Sequence, residues 1–144
     1  MPGALIVQLL YLWTLLACAF AVWKGGPAER IGAAVIFCAT VAPPALHAIA
    51  PADLIPLIDL TADGLVGVAF LLLALRYGSV WLGVTMLLFA AQFALHSFYA
   101  VTQRPADLLH AEINNAVFVG VSLSLTAGAA LAWRRQRRVA ATRT

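Results

Sequence analysis

Five long apolar stretches fill most of this chain, and they constrain its fold more than any other feature. A bilayer core about 30 Å thick needs roughly 20 helical residues for one crossing. Stretches of that order occupy residues 4–23, 31–50, 57–75, 79–101 and 108–133. The sequence therefore predicts an all-α integral membrane bundle of five transmembrane helices over residues 1–133, followed by a basic tail over residues 134–144. We expect no separate soluble domain within these 144 residues, 63% of which are hydrophobic.

The third stretch fits a membrane crossing less well than the others. Its uninterrupted apolar part, residues 64–75, reaches only about 18 Å at 1.5 Å per residue. To span a bilayer, this helix must either take Asp59 and Asp63 into the membrane or run past Arg76. The breaks between stretches contain Pro and Gly, and the first of them, residues 24–30, is predicted as a tight polar turn.

The distribution of charge predicts the orientation of the bundle. Lys and Arg accumulate in the cytoplasmic loops of membrane proteins. An external N-terminus and an internal C-terminus place eight of the nine basic residues inside. These eight are Lys24, Arg30, Arg76, Arg134, Arg135, Arg137, Arg138 and Arg143. Arg104 lies outside together with five of the six carboxylates, and Glu29 is the one internal acid.

Two groups of side chains are typical of contact with the membrane surface. The first is a basic cluster after the fifth helix, formed by Arg134, Arg135, Arg137 and Arg138. Such a cluster binds anionic lipid at about 1 kcal/mol per basic residue, and nothing beside it indicates nucleic-acid binding. The second group is Trp23, Trp81 and Trp133, which lie near predicted helix ends as interfacial aromatic residues do.

Polar side chains gather in the outer half of the predicted bundle. On the fourth helix, Gln92, His96 and Tyr99 recur at spacings of four and three, which places them on one helical face. Asp59 and Asp63 of the third helix are four residues apart and also share a face. The full candidate layer is His47, Asp59, Asp63, Gln92, His96, Tyr99, His110, Glu112 and Asn114.

Three interpretations of this layer stay open. Ionisable groups cost several kcal/mol in hydrocarbon, so they should face one another or a wet cavity. The first interpretation is a structural network, in which Asp63 bonds to His96 or Asn114. The second is a metal or haem site with His47, His96 and His110 as ligands, although each histidine comes from a different helix. The third is a pocket for a quinone, a lipid headgroup or protons, in which Asp63 and His96 are the titrating pair.

A stripe of small residues follows the fifth helix. It recurs every four residues at Ala116, Gly120, Ser124 and Gly128. Small residues in this register let another helix approach closely. The stripe therefore predicts a helix-packing face, either inside the bundle or against a partner protein.

The first loop carries a resemblance to known proteins. Residues 23–33 are Trp-Lys-Gly-Gly-Pro-Ala-Glu-Arg-Ile-Gly-Ala. This segment resembles the first loop of small, uncharacterised multi-span inner-membrane proteins of alphaproteobacteria. The resemblance implies a bacterial inner membrane, whose outer side is the periplasm. The orientation that the charges predict then places the N-terminus in the periplasm and the C-terminus in the cytoplasm. It implies no activity.

The motif content favours a protein without its own catalysis. The sequence has no Gly-rich phosphate loop, no nucleophile elbow and no internal repeat. We therefore expect an accessory or structural subunit of a larger inner-membrane complex, respiratory or photosynthetic, or else a homo-oligomer. The alternative is a periplasm-side quinone-, haem- or metal-binding protein that uses the polar layer. The sequence itself requires no cofactor.

Overall fold

All five expected helices are present. A computed structural model describes residues 2–105 and 107–142, with side chains from residue 5 onward. The helices are α1 (Pro2–Lys24), α2 (Pro27–His47), α3 (Ile55–Tyr77), α4 (Val80–Thr102) and α5 (Leu108–Ala141). A single 3-10 turn, Ala52–Leu54, precedes α3. The described residues contain no strand, and each of the five helices is long and apolar enough to cross a membrane.

The α2 helix begins earlier than the sequence predicts. Pro27 occupies its first turn, where the fixed φ of proline suits a helix and its missing amide hydrogen is not needed. The Glu29 carboxylate accepts a hydrogen bond of 2.9 Å from the Gly26 amide, which caps the helix start. The predicted turn over residues 24–30 is therefore too long, because only Gly25 and Gly26 lie outside helices.

The α3 helix extends beyond its uninterrupted apolar part at both ends. It contains Asp59 and Asp63 before that part and continues past Arg76 to Tyr77 after it. Gly78 then ends the helix at φ +59°, and its amide donates to the Ala74 carbonyl at 2.9 Å. Glycine adopts this left-handed conformation without steric cost.

The α5 helix is much longer than the sequence predicts. It has 34 residues and continues through the basic cluster to Ala141, beyond the predicted apolar stretch that ends at residue 133. Arg and Gln are good helix formers, and residues 134–141 contain neither Gly nor Pro. Residues 106, 143 and 144, which include Arg143 of the predicted internal side, lie outside the described residues.

The helices form a closed ring, since each packs on its neighbours in sequence and α1 also packs on α5. The core is tightest around Phe70, Leu82 and Leu125, each with 0% of its surface exposed. The outer surface is apolar, as at Leu65 and Leu75, which are 67% and 75% exposed. A bundle that is apolar outside is suited to a lipid environment.

Charge separates the two ends of this ring. The Lys24 ammonium lies 5.6 Å from the centre of the Trp133 ring, so the end of α1 and the later part of α5 are at the same end. We call this the basic end, defined by Lys24, Arg76 and Arg134. The opposite end, defined by His47, Asp59 and Asp107, is the polar end.

Candidate functional site

A histidine–carboxylate pair joins α2 to α3 at the polar end. His47 Nε2 lies 2.8 Å from Asp59 Oδ1. The two side chains are 31% and 28% exposed. His47 is the last residue of α2 and Asp59 lies in the second turn of α3, so the short connection between these helices brings the two together.

A second pair joins α3 to α4 one turn deeper. Asp63 Oδ2 lies 2.5 Å from His96 Nδ1, and the two side chains are only 13% and 14% exposed. This contact is one of the two that the sequence predicts for Asp63. The His110 ring of α5 lies beside His96, with 5.2 Å between ring centres. Three helices therefore place ionisable groups at one level.

An amide pair joins α4 to α5 beside these histidines. Gln92 Nε2 donates to Asn114 Oδ1. Gln92 is only 7% exposed, and its Oε1 atom accepts no hydrogen bond from any described residue. Buried acceptors are normally satisfied, so this oxygen is an exception among the described side chains.

Tyr99 and Asp107 close the polar end between α4 and α5. The Tyr99 hydroxyl donates to Asp107 Oδ1 at 2.5 Å, and the same oxygen accepts from the His110 amide at 3.0 Å. The Tyr99 hydroxyl, followed by the His110 amide, lowers the pKa of Asp107 below its ordinary value. Asp107 is the N-cap of α5, a role that a carboxylate performs well at a helix start.

The polar side chains surround a cavity of about 270 Å³ to which all five helices contribute. His47, Asp59, Asp63, Gln92, His96, His110 and Asn114 all line it. From α1 and α5, Thr14 and Ser122 join the wall, and their hydroxyl oxygens are 2.7 Å apart. The wall therefore combines hydrogen-bonding groups of several kinds with apolar side chains such as Ile36 and Phe89.

Two prolines interrupt the hydrogen bonding of α2 beside the cavity. Pro43 and Pro44 lie inside α2. Since proline has no amide hydrogen, the carbonyls of Ala39 and Thr40 lose their usual donors four residues later. Both of these residues line the cavity.

The structure separates some of the expected residues from this cavity. Glu112 is exposed on α5 and does not line the cavity, unlike Asn114 of the same helix. Tyr99 lies next to the His110 ring, with 4.8 Å between ring centres, but it is not part of the wall. No three His, Cys, Asp or Glu side chains within the described ranges form a group that could hold a metal ion. The proposed ligand set of His47, His96 and His110 is therefore not assembled.

The small-residue stripe lies mainly against α4. A Cβ atom at Gly120 would be 2.9 Å from Leu88, and one at Gly128 would be 2.6 Å from Trp81. Ser124 donates to the Trp81 carbonyl at 2.9 Å. Ala116 differs, because it is exposed. The basic cluster, Arg134, Arg135, Arg137 and Arg138, is exposed along the extension of α5.

Sequence reasoning missed several polar contacts. Thr14 and Ser122 were hidden in apolar stretches, where a hydroxyl is the usual signal of an interhelical hydrogen bond. Asp107 was assigned to a loop, although an Asp immediately before an apolar run is a helix-start signal. Trp81 is not an interfacial residue: it is 7% exposed, and its indole Nε1 donates to Glu29 Oε1 at 3.0 Å.

The cavity wall holds titratable and hydrogen-bonding side chains of the kind that meet a small polar group. In each histidine–carboxylate pair one ring nitrogen is held by a carboxylate, which orients the ring. Gln92 and Asn114 add side-chain amides. Comparison of the chain with known protein families, with curated proteins and with solved structures finds no match.

Proposed function

We propose that this protein is a multi-pass membrane protein that binds the ring headgroup of a quinol or quinone in the polar cavity. The observation that carries the proposal is the presence of two histidine–carboxylate pairs in the wall of one cavity. These pairs would accept or donate a hydrogen bond at one headgroup oxygen. Gln92 lines the same wall and would bond the other oxygen through its side-chain amide.

The volume of the cavity supports a small occupant. Ligand pockets commonly measure about 300–1,000 Å³, and this cavity has about 270 Å³. A single ring is of that scale, whereas a macrocycle such as haem needs more room. The three histidines do not form a group that could hold a metal ion, which argues against a metal ion bound by all three.

The proposed location is a bacterial inner membrane, with the polar end on the periplasmic side. Support comes from the charge distribution, since Lys24, Arg30, Arg76 and the arginines of α5 belong to the basic end. Such residues favour the cytoplasmic side. Cysteine accessibility checks this orientation: a periplasmic thiol reagent is expected to label Asp53→Cys but not Arg135→Cys in intact cells. The reverse pattern would overturn it.

Binding tests the proposed function directly. The purified protein is titrated with a short-chain ubiquinol analogue by calorimetry in lipid nanodiscs. We expect saturable binding that weakens about tenfold in Gln92→Leu, the scale of one lost hydrogen bond. Gln8→Leu is the matched control, because Gln8 is exposed on α1. Wild-type protein that shows no saturable binding would contradict the proposal.

Membership of a larger complex stays a prediction. Its surface candidate is Trp13, which is mid-helix and 43% exposed. Isolation from native membranes in mild detergent, with mass spectrometry of the proteins that co-purify at constant stoichiometry, checks it. Recovery of the chain alone would count against an accessory-subunit role.

A further inference from the structure

An apolar groove lies on the outside of the bundle between α2 and α3. It has a volume of about 730 Å³, and every residue that lines it is apolar except Thr61. The Thr61 hydroxyl donates to the Leu57 carbonyl at 2.6 Å within its own helix. The groove therefore presents no free polar side chain.

The groove and the polar cavity share a wall. Four residues, Ala39, Pro43, Ala62 and Val66, line both spaces. Three of the four have small or compact side chains, so little separates the groove from the cavity. The polar cavity and an apolar outer groove therefore lie side by side at these four residues.

A second groove provides an internal comparison. It lies between α1 and α2 and is larger, at about 960 Å³. None of its lining residues lines the polar cavity. Connection to the polar cavity is thus a property of the α2–α3 groove and not of outer grooves in general.

The α3 helix shows the same division along its own faces. Asp59 and Asp63 line the cavity, whereas Ile58 and Leu65 line the groove, and Ala62 lies between them and borders both. A molecule seated across Ala62 would meet carboxylates and imidazoles at one end and hydrocarbon at the other. That arrangement is complementary to an amphipathic ligand.

We infer that the ligand enters sideways from the lipid between α2 and α3, with its ring in the polar cavity and its hydrocarbon tail in the α2–α3 groove. This inference rests on the proposed function, and it narrows the ligand to a ring headgroup that carries an apolar tail. A phospholipid fits less well, because its phosphate would face Asp59 and Asp63.

Photolabelling tests the path of the tail. The probe is a ubiquinol analogue with a decyl tail that carries a diazirine, applied to the full chain in nanodiscs and mapped by mass spectrometry. We expect labels at groove residues such as Leu46 of α2 and Ile58 and Leu65 of α3, and a loss of these labels with excess unlabelled analogue.

Two exposed alanines make a matched pair of variants. Ala42 lines only the α2–α3 groove and Ala19 lines only the α1–α2 groove. Ala42→Phe is expected to abolish the competed labelling, while Ala19→Phe leaves it unchanged. Because both side chains are exposed, neither variant threatens the packed core.

The outcomes separate the two proposals. Competed labels on other outer faces, with calorimetric binding of the ring intact, would overturn the lateral path and leave the proposed function standing. Equal labelling in Ala42→Phe and wild type would do the same. Complete absence of competed labels, together with no calorimetric binding, would overturn the proposed function itself.

Discussion

Each end of this bundle contains a carboxylate paired with a ring nitrogen, but the two pairs lie in different surroundings. At the basic end, Glu29 accepts from the ring nitrogen of Trp81, and both residues are 7% exposed. At the polar end, Asp63 pairs with a ring nitrogen of His96. A carboxylate and a ring nitrogen meet in both cases.

What surrounds each pair is different. Around Trp81 there is no spare room, since a Cβ atom at Gly32 or Gly128 would lie 2.6 Å from its indole. Around Asp63 and His96 there is a cavity of about 270 Å³. The comparison teaches that a buried polar pair alone does not indicate a site, because the adjacent space distinguishes packing from binding.

The largest expected effect is at the basic end. Trp81→Ala empties the centre of the packed core and removes the donor to Glu29, so it should lower the free energy of unfolding by about 3–5 kcal/mol. Denaturant unfolding in mild detergent, followed by circular dichroism, measures this loss. Trp23→Ala is the control, because Trp23 is 73% exposed. Equal losses in the two variants would contradict the assignment of Trp81 to the core.

A smaller effect is expected from overfilling the same region. Gly128→Ala places a methyl group against the Trp81 indole, which should cost about 1–3 kcal/mol of unfolding free energy. Gly83→Ala on α4 is the matched control, since a Cβ there meets nothing within 4 Å. The same unfolding assay compares them. A Gly128→Ala variant as stable as Gly83→Ala would show that α4 and α5 are not in close contact.

A substitution at the polar end should affect ligand binding more than the free energy of unfolding. Asp63→Asn weakens one interhelical contact, worth about 0.6–2 kcal/mol, so unfolding should change less than in Trp81→Ala. Binding of the short-chain ubiquinol analogue should nevertheless be lost, because the His96 ring loses its carboxylate partner. Asp53→Asn, an exposed change in the turn before α3, is the control. A stability loss as large as that of Trp81→Ala would make this pair a packing element.

The smallest effect concerns acid stability. The pKa of Asp107 is lowered in the folded protein, first by the Tyr99 hydroxyl and then by the His110 amide, and Arg104 adds to the effect. The ionised Asp107 carboxylate therefore stabilises the fold fully above the unfolded pKa of about 3.9. This stabilisation is lost as pH falls through the lower, folded pKa.

Tyr99→Phe removes the main cause of this pKa shift. The variant should therefore lose less stability than wild type as pH falls from about 5 through the folded pKa of Asp107. Thermal unfolding as a function of pH measures the difference, and Asp107→Asn is the reference without a titrating group. Identical pH profiles for wild type and Tyr99→Phe would refute the assigned contact.

Helix number was predictable from the sequence because each apolar stretch matches one bilayer crossing, and all five helices are confirmed. The ends of the helices were harder to predict, because a stretch can stop being apolar while its residues still favour a helix. Residues after Trp133 become basic without losing helix propensity, so α5 continues. Pro27 and Glu29 were assigned to a turn, although together they form a helix start.

The candidate site was predictable as a set of faces but not as a set of contacts. Helical spacing placed Gln92 and His96 together, and it suggested Asp63 as a partner of His96. It could not predict the cavity, since this depends on how five helices close into a ring. Nor could it reveal whether Trp81 faces lipid or core, because a residue at a helix start fits both.

The length of α5 sets the distance between the cavity and the basic cluster. Asn114 lines the cavity and Arg134 belongs to the basic cluster, and the same unbroken helix carries both. Twenty residues separate them along the helix, or about 30 Å, which equals the thickness of the hydrocarbon layer. If the arginines lie among the headgroups of one leaflet, the cavity would lie at the headgroup level of the other, within reach of both water and hydrocarbon.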